Sequence, residues 1–467
     1  MDKNIKTGKD AREKIITGVN KLAETVKVTM GGQGKLVIIE DINKIQPIVT
    51  KDGVTVASHV DLQDPFEMQG VMLMKQVAKK TVDEVGDGTT TSVVLAQSLI
   101  NEGIKSGKSY RTLQKEYDEG FKYVSEKLKK LSKKGNSLDV AKISANGDTE
   151  VAKLVNQAYK KAQLVLSEES SGKESSLLFQ DGCQLENGSV HEAFSKGELG
   201  ESLVVIYNDT LKNLDVLKPI LEYAANENKG VLLALENFED IALNMLVYNH
   251  LNNYIKLAVV RIPFEKEDWF EDMEKATGAT PITEFTSDVF SAVGEVSKVV
   301  NSKSFVVTEE QAPILKEHLK TISSKRAGNF GAGICTIKVG GVSQAEKVEK
   351  LDRVDDAIGA VKSSLKLGVV PGGGNALSSF KEDSNLSEEF RKSLDYPRQV
   401  ILENAEIEIP KEVIWNKGYD VVSGELKEDL IKAGIVDSTE GLLKALESAI
   451  SVAKIVLQTN GLILTIN

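Results

Sequence analysis

Cysteine and histidine are scarce, with two of the first (Cys183, Cys335) and four of the second (His59, His191, His250, His318) in 467 residues. There is no C-x-x-C and no histidine pair at ligand spacing, which excludes a disulfide scaffold and most zinc folds. No run of about 18 apolar residues occurs, so a membrane-spanning helix is not expected. The first ten residues, Met1 to Asp10, lack the apolar stretch of a signal peptide. Basic residues are outnumbered, 58 Lys and Arg against 69 Asp and Glu, giving a net charge of −11 with no polybasic tract. Nucleic acid is therefore not an expected partner. The chain reads as soluble, reduced and cytoplasmic, of a bacterial-type cell or host. Aromatic residues make up 5% and prolines number nine, whereas glycines number 37, so flexible points abound and rigid ones do not.

At roughly 150 residues per domain, the length suggests about three domains. From Ala11 to Met30 the residues Ile15, Ile16, Val19, Leu22, Ala23 and Val26 recur at three- and four-residue steps, the mark of an amphipathic helix. Further helical patterns cover about Phe66 to Val82, the segment from the threonines at 89 to Ile104, and Leu113 to Leu131. Between about 200 and 310 the pattern changes to short apolar runs, at 203–206, 231–235, 257–260 and 304–308, alternating with helix-length segments. That is the signature of an α/β domain. Helical character then returns at 346–367 and 442–458 before a β-type end at 462–466. Helical ends around an α/β middle imply one domain inserted into another.

Three glycine-rich loops carry the candidate chemistry. In Val85-Gly-Asp-Gly-Thr-Thr-Thr91 the glycines permit positive φ and close approach to a ligand, three hydroxyls follow, and a helix starts with its N–H groups free. Such a loop cradles phosphate, and Asp87 within it could hold Mg2+; an ordinary capped turn uses the same residues. Thr29-Met-Gly-Gly-Gln-Gly34 and Val369-Val-Pro-Gly-Gly-Gly374 are similar, and Val49-Thr-Lys-Asp-Gly-Val54 sets a carboxylate beside a cation at a turn. Each alone also reads as a structural turn. Neither a P-loop nor a dinucleotide fingerprint is present. Spacing permits a Mg-nucleotide site of unknown fold and goes no further.

The Lys51-Asp52-Gly53 and Gly86-Asp87-Gly88-Thr89-Thr90-Thr91 strings together resemble the nucleotide site of the group I (GroEL-like) chaperonins. Asp10-Ala-Arg12, Ile143-Ser-Ala-Asn146, Ile337-Lys-Val-Gly340, Arg353-Val-Asp-Asp-Ala357, Gly368 to Gly374 and Ala433-Gly-Ile-Val-Asp437 continue the likeness in the family's order. The resemblance implies a multidomain α+β chain. Its parts would be a mainly helical equatorial ATP-binding domain (1–130 and 367–467), an intermediate domain (131–181 and 334–366) and an inserted α/β apical domain (182–333). It also implies an ATPase using ATP and Mg2+, with K+ admitted as an additional ion.

By position, Thr29, Gly31, Lys51, Gly88 and Thr89 to Thr91 would meet the phosphates, Asp87 the metal, Gly373 the ribose, and Ile435 with Asp437 the nucleoside end. Asp356, assisted by Asp52, would orient the attacking water; by residue type alone Asp356 is a solvated helix charge. Phe194, Leu217, Ile220, Leu221, Leu243, Val247 and Tyr248 would line an apical groove for non-native polypeptides, although such stripes face the core in most helices. Gly182, Gly333 and Gly368 would be hinges. The expected partners are identical subunits in a ring, a heptamer by resemblance, and a co-chaperonin lid.

Several departures qualify the likeness. Ser189 and Ala193 replace aromatic positions beside Phe194, and Val421 stands where the family commonly has Asn. The stretches 377–420 and 105–112 are short and the chain stops at Asn467, so an altered ring–ring interface or a single ring is expected. The other reading is a ring-shaped, ATP-switched scaffold for one dedicated partner.

Overall fold

The structure, a computed structural model, describes residues 3–40, 47–162, 164–185, 187–195, 197–264, 266–300, 303–322 and 333–465. The chain divides into two compact units. The first comprises Met1–Gln157, Ser167–Ser176 and Ile337–Asn467, and the second Ala158–Leu166 and Leu177–Thr336. The nested order expected from the helical, α/β, helical pattern is observed.

The first unit opens with β1 (Lys3–Thr7), α1 (Gly8–Lys27), β2 (Val37–Ile39), β3 (Ile48–Thr50) and α2 (Gly53–Ser58). Three long helices follow, α3 (Pro65–Val85), α4 (Thr89–Lys105) and α5 (Tyr110–Leu131), and then the shorter α6 (Ser137–Ser144) and α7 (Thr149–Tyr159). In α1 the periodic residues Ile15, Val19, Leu22, Ala23 and Val26 are buried, as their spacing predicts, and Ile16 lies half-buried beside them. They join Val71, Met74, Val93, Leu95 and Leu99 in one core with residues from the C-terminal part of the chain. Salt bridges from Lys14 to Asp64 (2.6 Å) and Glu67 (2.8 Å), and from Lys21 to Glu67 (2.7 Å), fix α1 on the start of α3.

The chain crosses between units within β4 (Leu164–Glu169), β5 (Ser176–Gln180) and β14 (Ile334–Val339), which pair in the order β4-β14-β5. The second unit holds β6 (Gly182–Gln184), β7 (Glu198–Leu199), β8 (Ser202–Leu211), α8 (Lys218–Asn226), β9 (Gly230–Phe238), α9 (Asp240–Leu251) and β10 (Leu257–Arg261). It continues with α10 (Lys266–Thr277), β11 (Pro281–Ile282), β12 (Gly294–Val300), β13 (Ser304–Val307) and α11 (Gln311–His318). Its sheet runs β10-β9-β8-β12-β13-β6, parallel through β10, β9 and β8 and antiparallel beyond. The central parallel strands are apolar on both faces and buried on both, as helix-covered strands must be.

The return into the first unit passes α12 (Gln344–Leu367), β15 (Val369–Pro371), α13 (Asn375–Ser378) and α14 (Glu388–Asn404). It ends through β16 (Gly418–Asp420), β17 (Glu425–Lys427), β18 (Val436–Ser438), α15 (Thr439–Gln458) and β19 (Gly461–Thr465). Among the described residues, four ribbons of this unit are only two strands wide, and two of them carry outward apolar pairs. In β1–β19 the facing residues Ile5 and Ile463 are both exposed, and in β2–β3 so are Ile38 and Val49. An isolated pair of strands is marginal in water, and an apolar cross-strand pair left outward is unusual for a finished surface.

Helices α1 and α3 approach so closely that a Cβ at Gly18 would stand 1.9 Å from the carbonyl oxygen of Glu67. Gly18→Ala must push them apart, so it is expected to cost about 1–3 kcal/mol and to lower the thermal midpoint; an unchanged midpoint would contradict this packing.

Candidate functional site

The helix α4 begins on the Gly86-Asp87-Gly88 turn, where φ is +73° at Gly86 and +89° at Gly88. Gly88 is the N-cap and has no side chain, so the first N–H groups of α4 receive no side-chain cap and face outward with the helix's positive end. Asp52 caps the neighbouring α2, accepting from the N–H groups of Val54 (3.2 Å) and Thr55 (2.6 Å). A Cβ at Gly53 would lie 2.3 Å from Thr90 Oγ1, so the Lys51-Asp52-Gly53 turn sits directly on the start of α4.

The third segment, α12, crosses the same turn. A Cβ at Gly359 would come within 2.6 Å of the Val85 carbonyl oxygen and 2.7 Å of Gly86 Cα. Asp356 and Asp352 precede Gly359 by one and two helical turns and share its face, so both line the cleft. Asp355 is turned away and accepts a hydrogen bond from the Ser167 hydroxyl. Asp87 accepts from Ser144 Oγ (2.9 Å) and from the Gly88 N–H (2.5 Å). At the far wall β15 and β18 pair with Val370 opposite Asp437, and the Gly372 N–H donates to the Ile435 carbonyl at 3.0 Å. The Gly374 N–H donates to the Asp437 carboxylate.

These contacts enclose a cleft of about 820 Å3, within the usual size of a small-molecule site. Every residue the sequence assigned to nucleotide or catalysis lines it: Thr29, Gly31, Lys51, Asp52, Asp87, Gly88, Thr89, Thr90, Thr91, Asp356, Gly373, Ile435 and Asp437. Sequence reasoning missed Asp352, Ser144 and Gly359. The i, i+4 spacing of Asp352 and Asp356 was a legible signal; the contact of Gly359 with Gly86 was not.

The cleft is electrostatically incomplete. Burial, reinforced by Asp87 and Asp52, pushes the Asp356 carboxyl well above its ordinary proton affinity. Burial and Asp52 raise Asp87 too, against the opposing hydrogen bonds from Ser144 and Gly88. Asp437 is pushed up to about 7 by burial and by Asp87, and Asp352 to about 7 by burial and by Asp52, Asp355 and Glu349. The nearby guanidinium of Arg353 is engaged by Asp148 (2.9 Å) and Glu349 (2.5 Å). A divalent cation would relieve this repulsion. Among the described residues no three of these carboxylates converge closely enough to hold an ion by themselves, since the one such group lies in the second unit. That suits Mg2+, which takes one or two carboxylates and leaves its other positions to phosphate oxygens and water. The uncapped N–H groups of α4 suit the phosphates.

Residues 22–467 match the TCP-1/cpn60 chaperonin family. The chain belongs to that family. Among solved structures it is similar to the chaperonin gp146 from the bacteriophage EL 2 (Pseudomonas aeruginosa), crystallised in the presence of ATP-BeFx. Crystal form II superposes with a TM-score of 0.71 at 21% identity, and form I with 0.68 at 20%, each over 99% of both chains. At that identity the likeness establishes the shared chaperonin fold.

In the second unit of this chaperonin the seven residues expected to line a polypeptide groove differ in exposure. Phe194, Leu217 and Ile220 are buried in the core beneath α8 and α9. The loop before Phe194 is tied down, with Ser189 Oγ donating to the His191 carbonyl (2.6 Å) and the Ala193 N–H to His191 Nδ1 (3.1 Å). The Phe194 ring is thereby held inward, edge-on to His191 and His250. Leu221, Leu243 and Val247 are half-buried, and Tyr248 alone of the seven is exposed. Because α9 is apolar all round, Ala242 and Leu246 fill the core while Ile241 (67% exposed), Met245 (44%), Tyr248 (60%) and Leu251 (63%) form an outer stripe. Among the glycines expected to hinge, Gly182 and Gly368 (φ +78°) sit against backbone atoms, at 2.7 and 2.4 Å from their would-be Cβ positions, whereas at Gly333 (φ +57°) the nearest atom among the described residues is the Lys161 carbonyl oxygen at 3.6 Å. Among the described residues no helix is long and apolar enough to cross a membrane.

The raised carboxyls set the sign of a pH effect. A carboxyl held near 7 in the folded state, against 3.8 unfolded, keeps a proton that unfolding releases, so stability falls as pH rises from about 4 to about 7. The ligand-free protein is expected to unfold at a higher temperature at pH 6 than at pH 8, and Asp352→Asn to flatten that slope and raise the pH 8 midpoint. An identical slope in the variant would show that Asp352 carries no such strain.

Proposed function

We propose that the chain is an ATP-hydrolysing chaperonin subunit of a cytoplasmic ring, capturing non-native polypeptides on exposed apolar surface and releasing them into a chamber to fold. The observation that carries this reading is the convergence of three distant glycine loops and four strained aspartates in one cleft. The chain would comprise an equatorial domain (1–130 and 367–467), an intermediate domain (131–181 and 334–366) and an apical domain (182–333).

Thr29, Gly31, Lys51 and Gly88 to Thr91 would hold the phosphates, Asp87 the Mg2+, and Gly373, Ile435 and Asp437 the nucleoside. Bound ATP supplies the phosphoanhydride whose cleavage drives the cycle. Phosphoryl transfer to water mainly needs positioning and neutralised charge. Asp356, which lines the cleft one helical turn before Gly359, is suited to orient the water and accept its proton at the carboxylate, and Asp52 would help to hold it.

Polypeptide capture is assigned to the outer stripe of α9 rather than to the buried residues. Each apolar side chain covered there contributes about 1.5–3 kcal/mol, and repetition around a ring makes weak grooves act together on one client. A co-chaperonin lid would compete for the same stripe. Gly333 is the best placed of the three glycines to absorb an apical rotation. The inward Phe194 favours a second reading, a scaffold for one dedicated partner, since it leaves a narrower groove.

For the ring, the two bare ribbons offer complementary halves of a head-to-tail contact, β1–β19 of one copy against β2–β3 of the next, and such contacts close into rings. Asp356→Ala is expected to bind nucleotide and client while turnover falls by about a hundredfold; unchanged turnover would remove Asp356 from the chemistry. Ile38→Lys should leave circular dichroism unchanged and shift sedimentation from ring to free subunit; persistence of the ring would reject this contact.

A further inference from the structure

His318, isolated in the sequence, acquires partners in the fold. It closes α11, and its Nε2 lies 2.7 Å from Asp272 Oδ1 in the middle of α10. Glu271 adds a third donor, and one ligand atom from each residue lies within 4.8 Å of the others. The cluster is graded in depth: Asp272 is 2% exposed and His318 9%, while Glu271 reaches the surface. Packing fixes the two helices that carry it. Trp269, Met273 and Ala276 of α10 share a core with Leu315 of α11, and Ala312 and Leu319 pack against the same core. The donors are therefore held by side chains that do not depend on an ion.

We propose that Glu271, Asp272 and His318 form a divalent transition-metal site, with Zn2+ the ion of best fit. An imidazole nitrogen and carboxylate oxygens are donors that zinc takes, and three of them leave a fourth, tetrahedral position for water on the exposed Glu271 side. An imidazole and only two carboxylates disfavour Ca2+ and Mg2+, which want more oxygen ligands. Bond lengths of about 2.0–2.2 Å separate neighbouring donors by roughly 3.3 Å. The histidine and Asp272 would then part by about half an ångström, and Glu271 would swing in. The ion takes the place of the hydrogen bond between Nε2 and Oδ1, and the bound ring is the neutral tautomer with its one proton on Nδ1, any excess proton leaving to solvent.

Bound there, the ion ties the middle of α10 to the last turn of α11. Because the three donors assemble only in the folded second unit, binding stabilises that unit in proportion to ion concentration. The site lies outside the nucleotide cleft and stands whether or not the chain hydrolyses ATP.

The test uses the full chain, stripped with chelator, free of nucleotide and in excess Mg2+. Zn2+ is titrated calorimetrically, and Co2+ by its visible absorption. One ion per chain is expected, with a tetrahedral Co2+ spectrum and a higher thermal midpoint. Glu271→Gln and His318→Gln should each weaken binding by at least about tenfold. Glu271 is exposed, so its variant keeps the fold even if the His318 variant does not. Absence of stoichiometric Zn2+ binding to the unaltered chain, or equal affinity in Glu271→Gln, would overturn the site.

Discussion

Three chain segments come into backbone contact at the start of α4 because a glycine stands at each meeting point. Gly53 admits the Thr90 hydroxyl, and Gly359 admits the Val85 carbonyl and the Gly86 Cα. A methyl group at either position would occupy space already filled by other atoms, and the walls of the cleft would separate. Asp52, Asp87 and Asp356 owe their shared location to these contacts, since each is carried on a different segment and none bonds to another. The large core of α1, α3, α4 and α15 supports the arrangement from behind.

The same closeness creates the cleft's electrostatic strain. Aspartates buried together hold their protons more tightly than in water, and two of them reach about 7. Evolution normally removes unpaired buried charge unless it has a use. Here a metal-nucleotide ligand, as proposed, would bring positive charge to the carboxylates and phosphate to the uncapped N–H groups of α4 together. The ligand-free unit is thus less stable than it could be, in a manner that ligand would reverse.

Much of the architecture was legible in the sequence because it rests on local periodicity: the helices of α1, α3, α5 and α15 and the strands β8, β9 and β10 fall where spacing placed them. The glycine loops were visible individually, but their meeting was not, since nothing local links Gly86 to Gly359. Resemblance to the chaperonins assigned the three loops and Asp356 to one nucleotide site without the Gly86–Gly359 contact, and those residues line one cleft. Which of the expected groove residues face outward was not legible, because α9 carries apolar residues on both its buried and its exposed faces and its pattern does not say which face is inside. Phe194 turned inward because the hydroxyl of Ser189 and the ring of His191 hold its loop, a detail of hydrogen bonding beyond any hydropathy pattern. The His318 cluster was invisible for a simpler reason: its partner Asp272 is 46 residues away.

What joins the cleft to the outer stripe of α9 is the claim that nucleotide turnover drives release of a captured chain. Refolding of an aggregation-prone enzyme by the assembled protein, with a co-chaperonin supplied, tests that claim most directly. An ATP-driven chaperonin recovers enzyme activity with ATP and Mg2+, and holds the client inactive but soluble without them. Intact rings that hydrolyse ATP yet give the same recovery with and without it would contradict it.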